Sequence, residues 1–99
     1  MSDPYEEPEP DGWPCVLSEE VTSLLMDLTL PADVFGAVVA ATVLINETRG
    51  EVPGATASAK WPEQRRMPLG PNGAFGVAEY VIVAHAEPPQ IVLTRVQLY

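Results

Sequence analysis

Two β segments close the chain, Phe75 to Ala86 and Ile91 to Tyr99, with only Glu87-Pro88-Pro89-Gln90 between them. Adjacent strand patterns joined by so short a proline-bearing link specify an antiparallel hairpin. Symmetric pairing about the link sets Ala86 opposite Ile91, Ala84 opposite Leu93, Ile82 opposite Arg95 and Tyr80 opposite Gln97. Strand alternation then collects Val81, Val83, Val92, Val96 and Leu98 on one nearly aliphatic face, expected to pack on helices. The other face carries Tyr80, Ile82, Arg95, Gln97 and Tyr99 and is expected to be open. A slip of one residue would exchange the two faces.

Upstream, the period changes. Trp13 to Leu17 reads as a short strand, held to a sheet edge by Pro14. Ser18 is a suitable helix N-cap, and Glu19 and Glu20 complement the positive end of the helix dipole. Val21, Leu24, Leu25 and Leu28 follow at i, i+3, i+4 and i+7, one buried helical stripe. Pro31 ends that helix and opens a second, over 32–48, with Val34, Val38, Ala41 and Ile45 as its stripe. The run is β-branched enough for a strand, but its length decides for helix. Arg49 and Gly50 supply the C-terminal signal. Residues 51–63 read as a loop, 64–69 as a strand shortened by Pro68, and Gly70-Pro71-Asn72-Gly73 as a turn. The expected fold is α+β: a two-helix hairpin packed on a small, mainly antiparallel sheet.

Charge sets the limits on partners. The chain of 99 residues has 14 acids, 5 bases and a formal charge of −9, which repels free nucleic acid. Half of the acids lie in residues 1–20, and no Lys or Arg precedes Arg49. With Pro4, Pro8 and Pro10, residues 1–12 read as an acidic flexible tail ahead of a single domain over 13–99. A hydrophobic content of 46% is too high for a wholly disordered chain. No run of apolar residues is long enough to span a bilayer, and no secretory signal is present, so a cytoplasmic location is expected. One cysteine, Cys15, excludes an internal disulfide. No metal-ligand spacing, phosphate loop or Ser-His-Asp arrangement occurs, so no cofactor is expected.

The order strand, helix, helix, loop, three antiparallel strands resembles the RelE/ParE superfamily of toxin–antitoxin systems over Trp13 to Tyr99. The best local match is AEYVIVAHAEPPQIVLTRVQLY (78–99), similar to that family's closing hairpin. EEVTSLLMDL and ADVFGAVVAATVLINETRG look like its two-helix hairpin. The resemblance implies one of two actions. RelE-like members cut messenger RNA in the ribosome, using cations and aromatic rings on a concave sheet face, where charge develops on the scissile phosphate. ParE-like members bind DNA gyrase. Either kind is silenced by a cognate antitoxin.

By that resemblance, Arg95 and Tyr99 match the family's basic and C-terminal tyrosine positions, and Arg65 or Arg66 its mid-sheet base; these are catalytic candidates in the nuclease branch. Tyr80, Arg95, Gln97, Tyr99, Lys60 and Trp61 are the binding candidates. The plain alternatives are a surface cation–π pair between Arg95 and Tyr80, a frayed Tyr99, and Trp61 as a plug for one end of the core. His85, the only histidine, is expected to be structural on the helix face. Glu79 is expected to pair with an arginine, and Cys15 to act as a small hydrophobe. The acidity lowers the nuclease reading and favours a protein target. The competing class is a non-enzymatic acidic interaction or inhibitor protein, phage-encoded or mimicking nucleic acid.

Overall fold

The computed structural model describes residues 12–99. The stretch expected to be a tail lies outside the described residues except for Gly12, which abuts the Asn46 carbonyl. In chain order the elements are β1 (Cys15–Leu17), α1 (Glu19–Leu25), α2 (Ala32–Glu47), β2 (Thr56–Ala57), β3 (Gln64–Leu69), a 3-10 turn (Pro71–Gly73), β4 (Gly76–Val83) and β5 (Gln90–Leu98). The strands form one sheet in the order β1-β5-β4-β3-β2. β1 runs parallel to β5, and every other pair is antiparallel. Two helices and a five-stranded mixed sheet make this an α+β fold.

Both helices pack on one side of the sheet. Val21 of α1 and Val38, Ala41 and Ile45 of α2 are buried with Met67, Leu69, Ala78, Tyr80, Ile91 and Leu93. Ser18 joins the two layers. Its hydroxyl oxygen accepts from the Val21 N–H at 3.2 Å and donates to the Thr94 carbonyl at 2.9 Å. That completes the N-cap and ties α1 to β5. α1 is shorter than its stripe suggested. The Asp27 carboxylate accepts from both the Thr29 N–H and hydroxyl, at 2.9 and 2.7 Å, closing a local turn that competes with helix. Leu28 therefore leaves the stripe and is fully exposed.

α2 ends in a Schellman motif: Gly50 N–H donates to the Ile45 carbonyl at 2.9 Å and Arg49 N–H to that of Asn46 at 3.2 Å. Arg49, not Gly50, takes the first left-handed position, with φ 54°. Gly50 follows at φ 84°, and a Cβ there would lie 2.6 Å from the Ile82 side chain. The glycine is thus required by close packing of the helix end on β4.

The β4–β5 pairing departs from the expected register. The turn comprises residues 84–89, so Val83 faces Gln90, Ile82 faces Ile91 and Tyr80 faces Leu93. Beyond Tyr80 the register shifts, and Glu79 faces Arg95. Thr94 is the extra residue, a β-bulge whose hydroxyl donates to the Glu79 carbonyl at 3.1 Å. A bulge reverses alternation. Ile91 and Leu93 on one side of it and Val96 on the other all turn toward the helices. Consequently Tyr80 and Ile82 sit on the helix face, and Val81, Val83 and Val92 on the outer one, the reverse of the sequence expectation. The placements of Val96, Arg95 and Gln97 hold.

Candidate functional site

The outer sheet face carries one polar strip. Arg66 of β3, Glu79 of β4 and Arg95 of β5 stand in register across three strands, and directly opposed side chains share a face. Arg66 Nε lies 3.2 Å from Glu79 Oε1. Glu79 thus sits between two cations and pairs with one, as the sequence suggested it would. The next row is Pro68, Val77 and Gln97. Toward the hairpin turn, Gln64, Val81, Val92 and Val16 make a more apolar row. The face is therefore amphipathic, with charge at its middle.

Two depressions meet at Arg66. One, of about 430 Å³, lies between Arg66, Thr56, Asn72 and Tyr99. The other, of about 370 Å³, lies between Thr56, Ser58, Gln64 and the same arginine. Tyr99 is 83% exposed beside the first. Thr56, Ser58 and Asn72 were not singled out in the sequence. Pairing of the two-residue strand β2 with Arg65 and Arg66 brings the first two here, and so short a strand inside a loop leaves no periodic signal.

The remaining candidates lie elsewhere. Arg65 alternates away from Arg66 to the helix side, opposite Tyr80. Its guanidinium donates to Glu51 at 2.7 and 3.2 Å and to the Pro62 carbonyl at 2.7 Å. The Glu51 hydrogen bonds hold the Arg65 pKa above the usual value, and Arg65 in turn holds the Glu51 carboxyl below the usual range. Tyr80 is fully buried, and its hydroxyl donates to the Gly50 carbonyl at 2.6 Å. Burial pushes its phenol pKa up, so it stays neutral. It offers nothing to a partner, nor does it stack on Arg95. Lys60 and Trp61 pair with each other in the β2–β3 connection, the ammonium 5.8 Å from the ring centroid. Trp61 is 55% exposed and does not plug the core. His85 is exposed in the β4–β5 turn rather than on the helix face, because β4 ends at Val83. Among the described residues, no group of His, Cys, Asp or Glu is placed to hold a metal ion, and no helix is long and apolar enough to cross a membrane.

Cys15, half-buried beside α2, has its thiol pushed up to about 11 by burial. The shift is upward, so the folded state keeps its proton while an unfolded thiol loses it near pH 9; this stabilisation is intact below pH 9 and is lost as pH rises toward 11. At pH 8, iodoacetamide is expected to label folded Cys15 at least tenfold more slowly than the urea-unfolded chain, since thiolate is the nucleophile. Equal rates would contradict the burial.

No protein-family model, curated protein or solved structure matches this chain. What stands on geometry is an α+β domain with an uncovered sheet face, centred on Arg66, Glu79 and Arg95 and edged by Gln97 and Tyr99.

Proposed function

We propose that the protein acts by binding a macromolecular target, a protein, through the outer face of its sheet, in the manner of the gyrase-binding branch of RelE/ParE-like toxins. The observation that carries this reading is the arginine–glutamate–arginine row across β3, β4 and β5. A phosphate-cleaving site needs net positive charge aimed at the developing anion. Here Glu79 offsets one cation, and Arg65 is held by Glu51 on the other side of the sheet. Exposed arginine and tyrosine around an amphipathic patch are instead the residues that dominate protein interfaces. The element order, from an edge strand through two helices to an antiparallel sheet, supports the toxin-like reading, and the antitoxin would be a second protein partner.

Production in bacteria is expected to arrest growth. Arg95→Glu and Tyr99→Ala should each relieve the arrest, weakening target binding by about 2 kcal/mol, roughly thirtyfold. Tyr99→Phe should be nearly silent, because the ring and not the hydroxyl makes the contact. The Tyr99 variants should melt like the parent, since exposed side chains contribute little to stability. Arg95→Glu, which sets a carboxylate opposite Glu79, should cost no more than about 1 kcal/mol. Accumulated cleaved DNA would identify a gyrase-type target. Ribosome-bound messenger fragments that disappear with Arg95→Ala and Tyr99→Phe would replace this reading with the nuclease one. Harmless expression at high level would leave the acidic interaction protein as the better account, a reading the charge of −9 already favours over direct RNA binding.

A further inference from the structure

α2 is covered on one side only. Val38, Ala41 and Ile45 are buried, while Phe35, Val39 and Val43 follow at i, i+4 and i+8 on the other side and are 43%, 40% and 50% exposed. Gly36 and Ala40 lie beside that stripe and are also exposed. Along the flank toward β3, Ala37, Ala40 and Leu44 form one wall of a groove of about 460 Å³, and Pro68, Pro71 and Phe75 form the other. Met26 and Leu28, in the turn between the helices, stand outward at 75% and 101% exposure. A helix apolar around most of its circumference belongs in an interior. Contiguous exposed apolar surface of this kind marks an interaction site.

The charge around this surface specifies what would cover it. Residues 18–48 contain Glu19, Glu20, Asp27, Asp33 and Glu47 and no Lys or Arg. Asp33 is the one charged residue lining the groove among the described residues, and Glu47 closes α2 at the far end, where Arg49 just beyond it lies over the Trp13 ring, 5.6 Å from its centroid. A second copy would set acid against acid, and each copy carries −9. An apolar floor with acid at both ends complements a helix with an apolar stripe and basic flanks. The 16 residues of α2 offer a bed roughly 24 Å long, enough for four turns of an incoming helix.

We infer that the outer face of α2, with the groove between it and β3, docks a cationic amphipathic helix of a partner protein. The α2 stripe lies on the helix side of the sheet, away from Arg66, Arg95 and Tyr99, and Pro68 borders both the groove and the depression beside Tyr99. The inference does not rest on the proposed use of the outer sheet face.

The test uses the full chain and a designed Leu/Lys peptide with leucines at helical spacing, beside a Leu/Glu peptide of the same pattern and a Leu/Lys scramble without a stripe. Amide spectra are expected to shift along α2 and residues 67–75 with the patterned Leu/Lys peptide and not with the other two. Val39→Glu combined with Val43→Glu should weaken binding at least tenfold. Those substitutions add negative charge, so a loss reports the apolar contact and not bulk attraction. The pair removes half-buried methyls and sets carboxylates at i, i+4 to each other and to Glu47, so it should melt somewhat below the parent yet stay folded. The single Val39→Glu should weaken binding in the same direction, and Arg95→Glu should bind the peptide normally. Equal binding of the scramble, or shifts confined to residues 1–11 or to the outer sheet face, would overturn the inference. So would dimers in sedimentation that Val43→Glu dissociates, which would make a second copy the occupant, or the same α2 shifts produced by phosphatidylcholine vesicles alone.

Discussion

Tyr80→Ala is expected to cost about 3–5 kcal/mol, the range for emptying a buried aromatic site. That is a large share of the 5–15 kcal/mol typical of whole domains, and the melting temperature should fall by roughly 12 °C or more. The reason lies in what Tyr80 joins. Its ring is fully buried in the centre of the core, between β3 and β5, and its hydroxyl holds the Gly50 carbonyl where α2 ends. Tyr80→Phe isolates the second part. It leaves that buried carbonyl without its partner and should cost about 1–2 kcal/mol. Urea denaturation followed by tryptophan fluorescence reads both. Folded Tyr80→Phe should still bind whatever the outer face binds, whereas a surface contact residue would lose binding and keep its stability. A Tyr80→Ala protein that melts like the parent would mean that the core is not centred here.

Why Tyr80 was legible as important but not as buried follows from the bulge. Local patterns located every element except β2: the Ser18 cap, the stripe at Val38, Ala41 and Ile45, and the edge strand after Pro14 all hold. These features depend on neighbours within one turn or one strand. The two faces of the hairpin depend on which residue of β5 meets which of β4. That is settled by Thr94, whose backbone and side chain bind Ser18 and Glu79, residues 76 and 15 positions away. Strict alternation has no place for Leu93 and Val96 on one face, so it assigned the turn-proximal half backwards while reading Arg95 and Gln97 correctly. The polar strip was half visible for the same reason. Its β5 members alternate beyond the bulge, adjacent Arg65 and Arg66 take opposite faces that alternation alone does not assign, and its depressions depend on a strand only two residues long.

Gly76→Ala is expected to be the other severe change, at about 3 kcal/mol or more, combining a backbone conformation reserved for glycine with a contact that has no room to relax. Gly76 opens β4 at φ 150° and is buried opposite Leu98. A Cβ there would collide with the Gln97 carbonyl oxygen and lie 3.0 Å from the Gln97 carbonyl carbon and Leu98 Cα. All three are backbone atoms, so no side chain can swing aside. Relief requires the end of β5 to move off β4. That end carries Gln97, and the Tyr99 N–H that follows donates to the Phe75 carbonyl at 3.1 Å. The collision therefore falls on the edge of the candidate interface as well as on stability. At temperatures where Gly76→Ala remains folded, amide exchange should speed up at Gln97 to Tyr99 and remain slow at Ile91 and Leu93, beyond the bulge. Target binding should weaken with it, because Tyr99 loses its seat beside Arg66. Should Gly76→Ala retain both parental stability and slow exchange at the end of β5, the close approach of β4 to Gln97 is wrong, and with it the placement of Tyr99 at the rim of the outer face.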